Sequence, residues 1–180
     1  MKKKKFLQVF ALIMLPAFLL FQTAIAQNND KLTDPEIASI AVTANQIDID
    51  YAQIAFKNSK NNSVLEFAKT MARDHQAVID QAVALVTKLK VTPQTNKVTK
   101  KLLADEAKTK KELSAKKGRS FDKAYIDNEV AYHKAVISVV ETMLIPQSSN
   151  AELKSLLQNV LPALKAHLAH AEMVQKSISK

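Results

Sequence analysis

Four side chains in this 180-residue chain have the type and placement for metal chemistry: Asp48, His75, His133 and His167. Each interrupts an apolar stripe of helical spacing, at a position where an aliphatic side chain is expected. A carboxylate or imidazole in such a place costs free energy unless it has a partner. One carboxylate and three imidazoles make a donor set for a single Zn, Cu, Ni or Fe(II) ion in tetrahedral or five-coordinate geometry. Imidazole binds a metal only when neutral, so affinity should fall below about pH 6. Three more side chains stand in reserve: His170, three residues after His167; Glu129, four before His133; and Met71, four before His75. Met71 and Met173 together with histidine suit copper, although methionine on an apolar stripe is more often core filling. The competing arrangement is a buried hydrogen-bond network without metal, in which His75 pairs with Asp48 and the other two histidines with Tyr51, Tyr132 or Glu129.

Four long amphipathic helices must carry these residues. The first should start at Asp34-Pro35-Glu36, with Asp34 as N-cap, and run to about Lys57; its stripe of Ile37, Ile40, Ala41, Ala44, Ile47, Tyr51 and Ile54 includes Asp48 but not Asp50. Ser63 with Glu66 reads as a capping box for a second helix to about Lys90, which Pro93 prevents from continuing. Thr95 to Lys117 predicts a thin, lysine-covered helix on Val98, Leu102, Leu103, Ala107 and Leu113, with Gly118 as its C-cap. Ser120 should cap the next helix, which ends before Pro146. The last helix spans about Ala151 to Ser177, and Pro162 should kink or divide it.

At about 1.5 Å per residue, Asp48 and His75 lie at one level in an antiparallel pair, whereas His133 and His167 differ by about a turn. Four core helices with an extra lysine-rich helix in the crossover between the second and third make an all-α, ferritin-like four-helix bundle.

The chain begins with a positive run, Met1 to Lys5, then an apolar stretch from Phe6 to Phe21, then Ala24-Ile25-Ala26. That pattern is a secretory signal peptide over residues 1–26. A short disordered start, 27–33, and the helical domain, 34–178, should follow. Export places the protein in a bacterial periplasm, at the outer membrane, or outside the cell. With no cysteine, neither a disulfide nor a lipid-bearing cysteine is available. The single glycine argues against hairpins, and no alternating strands suggest an outer-membrane barrel. Between residues 88 and 119, eleven Lys or Arg stand against three acids. The basic stretch Lys97–Lys117 could meet an anionic lipid or an acidic envelope polymer. It has no aromatic residue to stack on bases, so nucleic acid is not expected as a partner.

Four segments together resemble one family. They are Ile47 to Ala55, Phe67 to His75 with its Asp74-His75 pair, Phe121-Asp122-Lys123-Ala124-Tyr125 with His133, and Leu161 to Leu168. The family is the bacterial exported ferritin-like group called domain of unknown function 4142, some members of which carry an outer membrane protein label. The resemblance implies a ferritin-like fold, acidic residues at Asp48 and Asp50, and histidines at His75, His133 and His167. It implies no reaction. Asp stands here where glutamate is more usual, and Glu129, Tyr132 and His170 depart from the family pattern. Di-iron proteins of the wider group use Glu-x-x-His on two helices; here Ala72, Val130 and Leu164 precede the three histidines by three residues, which argues against a di-iron oxidase. No nucleophile motif, glycine-rich phosphate loop or carboxylate pair at catalytic spacing is evident. Whether the chain is an enzyme stays open, since a metal with a free position could catalyse. The two functional readings are a metal-binding bundle in metal handling or envelope stress, and an interaction module working through its basic helix.

Overall fold

The computed structural model describes residues 31–179. The expected signal peptide lies outside them. All regular structure among the described residues is helical: α1 (Asp34–Asn58), α2 (Asn62–Lys88), α3 (Lys97–Ser114), α4 (Gly118–Val139), a π-helical turn (Val140–Leu144), one turn α5 (Ile145–Gln147) and α6 (Ala151–Ile178). No described helix is long and apolar enough to cross a membrane.

Helix α1 packs along α2, and α4 along α6; α2 also meets α6, and α1 meets α4. The enclosed space is two apolar clusters. One holds Phe67, Tyr125, Phe121, Val64 and Ala171; the other holds Ile37, Ile40, Leu144, Leu153, Leu157 and Leu164. Burying a side chain such as Phe67, which has no exposed surface, contributes about 2–3 kcal/mol. On each of α1, α2, α4 and α6 the polar residue of the stripe falls at the border between the two clusters.

Helix α3 lies on α1 and touches α4. Its inward residues are Thr99, Glu106 and Leu113, seven apart, while Leu103 and Ala107 face solvent. The expected stripe was therefore rotated. Polar partners hold this helix as much as apolar ones do: Lys110 Nζ lies 2.6 Å from Asp50 and 3.2 Å from Glu106, and Ser39 and Thr99 share a hydrogen bond of 3.3 Å.

At α2 and α3 the start differs from expectation because asparagine does the capping. Asparagine caps as well as serine or aspartate, and three asparagines do so. Asn61 accepts from the amides of Ser63 and Val64, Asn96 from Val98 and Thr99, and Asn150 from Glu152 and Leu153. Ser63 is thus inside α2. Thr33, not Asp34, caps α1: Glu36 accepts from the Thr33 amide at 2.9 Å and from its hydroxyl at 2.8 Å. Asp34 is free to accept from the amides of Ser149 and Asn150, both at 2.9 Å, which ties the last loop to the start of α1. Gly118, with φ +54°, opens α4 and does not close α3, and Ser120 donates back to the Lys117 carbonyl at 2.9 Å. Helix α2 stops two residues early because Lys90 takes φ +54°. Pro146 lies within α5, and α6 continues through Pro162 undivided.

Candidate metal centre

The structure brings Asp48, His75, His133 and His167 together. The three imidazole rings form a near-equilateral set, with centroids 5.7 Å (His75–His133), 5.2 Å (His75–His167) and 5.6 Å (His133–His167) apart. One donor atom from each histidine lies within 4.8 Å of the others, and Asp48, Glu129 and His133 form a second such group. Asp48 Oδ2 is 3.2 Å from His75 Nε2 and 3.5 Å from His133 Nε2. The one-turn mismatch expected for His167 is smaller in the fold. The α4 rod runs on through the π turn to Gln147, 14 residues past His133, and α6 starts 16 residues before His167.

Each histidine has one ring nitrogen fixed by an acceptor outside the cluster, and that contact settles its tautomer. His133 Nδ1–H donates to the Glu129 carbonyl oxygen at 3.0 Å, a group that can only accept. His75 Nδ1–H donates to Asn45 Oδ1 at 2.7 Å, because the Asn45 amide nitrogen already donates to the Ala41 carbonyl at 2.8 Å. His167 Nε2–H donates to Asp74 Oδ2 at 3.0 Å. The nitrogens left with a lone pair are His75 Nε2, His133 Nε2 and His167 Nδ1. These three atoms, with both oxygens of Asp48 and of Glu129, make up seven of the nine buried side-chain polar atoms that have no hydrogen-bond partner among the described residues. Such atoms are costly, and folded proteins rarely concentrate them in one spot without a reason.

The electrostatics follow from burial. Loss of water, with repulsion from the other two histidines, holds His75 down to about 3. Loss of water, opposed by the bond to the Glu129 carbonyl and aided by repulsion from His167, brings His133 to about 4. His167 is lowered for the same reason, opposed by Asp74. All three are therefore neutral near pH 7, the form that ligates a metal. Burial pushes Asp48 up to about 7 and raises Glu129 well above its usual value, Asp48's charge adding to the effect. The Arg73 guanidinium, 2.7 Å away, keeps Asp74 below the usual carboxylate range and so ionised.

The reserve residues separate. Glu129, fully buried and one turn before His133, belongs to the site. His170 packs edge-on against Phe67, centroids 5.2 Å apart, outside both groups. Met71 is fully buried in the cluster with Phe67 and Tyr125 and fills core. Three features escaped the sequence reading: Asn45, Asp74 as the acceptor for His167, and the meeting of the Asp48 and Glu129 carboxyls across α1 and α4. The Asp74-His75 pair was the signal for one of them. On a helix these neighbours diverge by about 100°, so Asp74 reaches α6 while His75 points at α1. Asp50 stays outside the site and holds Lys110 of α3.

The domain of unknown function family DUF4142 matches residues 21–174. The chain belongs to that family. No curated protein and no solved structure matches it. DUF4142 carries no reaction in its description, so the chemistry has to be argued from the side chains.

Proposed function

We propose that this DUF4142 domain is an exported, ferritin-like bundle that binds one transition-metal ion through His75, His133, His167 and Asp48, with Glu129 as a fifth oxygen donor, and serves metal handling or envelope stress. The observation that carries this reading is the pairing of roles on each histidine. One nitrogen is tied to Asn45, the Glu129 carbonyl or Asp74, and the other is bare and buried, with those of His75 and His133 turned toward Asp48 and that of His167 grouped with the other two histidines. Outer acceptors of this kind orient the ring and make it a better ligand. A hydrogen-bond network without metal would bond the inner nitrogens; here His75 Nε2 and His133 Nε2 lie 3.2 and 3.5 Å from Asp48 Oδ2 without hydrogen-bond geometry, and His167 Nδ1 has no partner among the described residues. Three nitrogens and one or two oxygens suit Zn, Cu, Ni or Fe(II). The donor set contains no Glu-x-x-His, which speaks against di-iron chemistry. The test is thermal unfolding of the metal-free protein with each ion added singly. One ion should raise Tm for the wild type and leave His133→Ala unmoved; no shift with any ion would refute the reading.

A second reading rests on α3. Lys97, Lys100, Lys101, Lys108 and Lys111 face solvent, and this surface would meet anionic lipid or an acidic polymer. Salt-sensitive sedimentation with anionic vesicles, unaltered by His133→Ala, would support it; no sedimentation at low salt would exclude it.

A further inference from the structure

Next to the histidines the core is hollow. A cavity of about 360 Å³ reaches from Asp48, His75, His133 and His167 into the apolar half of the bundle. Its wall follows each helix away from the cluster: from Asp48 to Ile40 on α1, His75 to Leu85 on α2, His133 to Leu144 on α4 and the π turn, and His167 to Leu157 on α6. Those spans are eight to eleven residues, or ~12–17 Å at 1.5 Å per residue. The volume spread over that length leaves a bore on the order of 20–30 Å², about one hydrocarbon chain wide. The wall beyond the cluster is mainly aliphatic, with Asp105, Glu106 and Thr109 of α3 on one side. An apolar void of this size is costly to leave empty, and it does not attract water.

Two features point to a ligand rather than a packing fault. The histidine end carries the unpartnered, buried donor atoms of Asp48 and the three histidines. The far wall contains the π turn Val140–Leu144, whose Val140 and Leu144 line the cavity; such turns recur at functional sites. Leu85 and Leu156 line both this cavity and a surface groove between α2 and α6, beside Gln81 and Ser155. That groove borders the cavity on this side.

We infer that the cavity binds a single acyl chain, tail toward the α2–α6 groove, with a terminal carboxylate held at the metal site. This rests on the metal reading above, because a carboxylate beside Asp48 and Glu129 needs a cation between them. No bond is made or broken.

The experiment is calorimetric titration of laurate into the protein, first loaded with the ion that raises its Tm and then metal-free. A separate titration of that ion without laurate reads the metal site alone. Ala82→Leu and Leu157→Phe fill the cavity from α2 and α6; both should keep metal binding, and their unfolding curves report whether they fold. The expected result is laurate binding to the loaded wild type, its loss in both filled variants and its loss when metal is removed. A loaded wild type that binds its ion but not laurate overturns this inference and leaves the metal site standing. Laurate binding that survives in the folded, filled variants also overturns it. If no ion binds, the metal reading fails in its own titration, and this inference fails with it.

Discussion

Replacing Asp48 by asparagine should stabilise the metal-free protein, and by an amount that grows with pH. Asp48 has no exposed surface, and its polar neighbours are the Glu129 carboxyl and, at 3.2 Å, His75 Nε2. Burial pushes it from an ordinary 3.8 up to about 7. A carboxyl raised on folding binds more protons in the folded chain than in the unfolded one between those two values. Stability therefore falls as pH rises through that window, and the whole penalty is present above the folded value. At about 1.4 kcal/mol per pH unit the penalty is on the order of 4 kcal/mol above pH 7, about 2 kcal/mol at pH 5, and nothing below 3.8. An amide cannot ionise and escapes it. Glu129 shares the site, so the titration belongs to the pair, and Asp48→Asn also removes the charge that helps raise Glu129. The assay is urea unfolding of chelator-treated wild type and Asp48→Asn from pH 4 to pH 8. The gain should be near zero at pH 4 and reach several kcal/mol at pH 8, about 10 °C in Tm for a domain of this size. The same variant should lose most of its stabilisation by metal. A gain that is constant across pH, or a loss of stability at pH 8, would refute the assignment of Asp48 as a desolvated ligand awaiting a cation.

Other outcomes follow from single contacts. Asp74→Asn leaves a half-buried side chain in place but weakens the grip on His167 Nε2–H, so metal affinity should drop about 10–100-fold in calorimetry with little change in unfolding. Lys90→Gly should stabilise by about 1 kcal/mol, because Lys90 holds φ +54°, a conformation glycine adopts freely; urea unfolding checks it. Lys110→Ala removes the tie from α3 to Asp50. Since the Lys110 side chain is only partly buried and the pair is screened by solvent, the cost should be under ~1 kcal/mol, and faster hydrogen exchange should be confined to residues 97–114. The amide and hydroxyl of Thr33 hold Glu36 below its usual 4.5. Its contribution is complete above that value and is lost as pH falls through the lower folded one; Glu36→Gln should flatten the acid limb of the stability curve.

Much of this fold could be read in the sequence, because four long stripes of 3.6-residue period leave little freedom. The same stripes exposed Asp48, His75, His133 and His167 as misfits, and the fold converges all four. What could not be read was set by long-range pairing or by choices with no local mark. Nothing in the sequence around Asp74 says that its carboxylate crosses to His167, or that Asn45 turns its oxygen to His75. The stripe of α3 was misread because Thr99 and Glu106 turn inward to Ser39 and Lys110 while Leu103 turns out. A capping rule that favours serine chose Ser63 over Asn61, two residues away. The π turn has no composition signal, yet it sits in the wall of the cavity and in the rod whose length sets the level of His133 against His167.

The most direct test of the proposed metal site is elemental analysis of the protein expressed from its full sequence and purified without a chelating tag, beside His75→Ala prepared in the same way. A near-stoichiometric transition metal in the wild type that falls to background in the variant is the expected result. Metal absent from both, or present equally in both, would contradict the site and return the three histidines to the role of costly core residues.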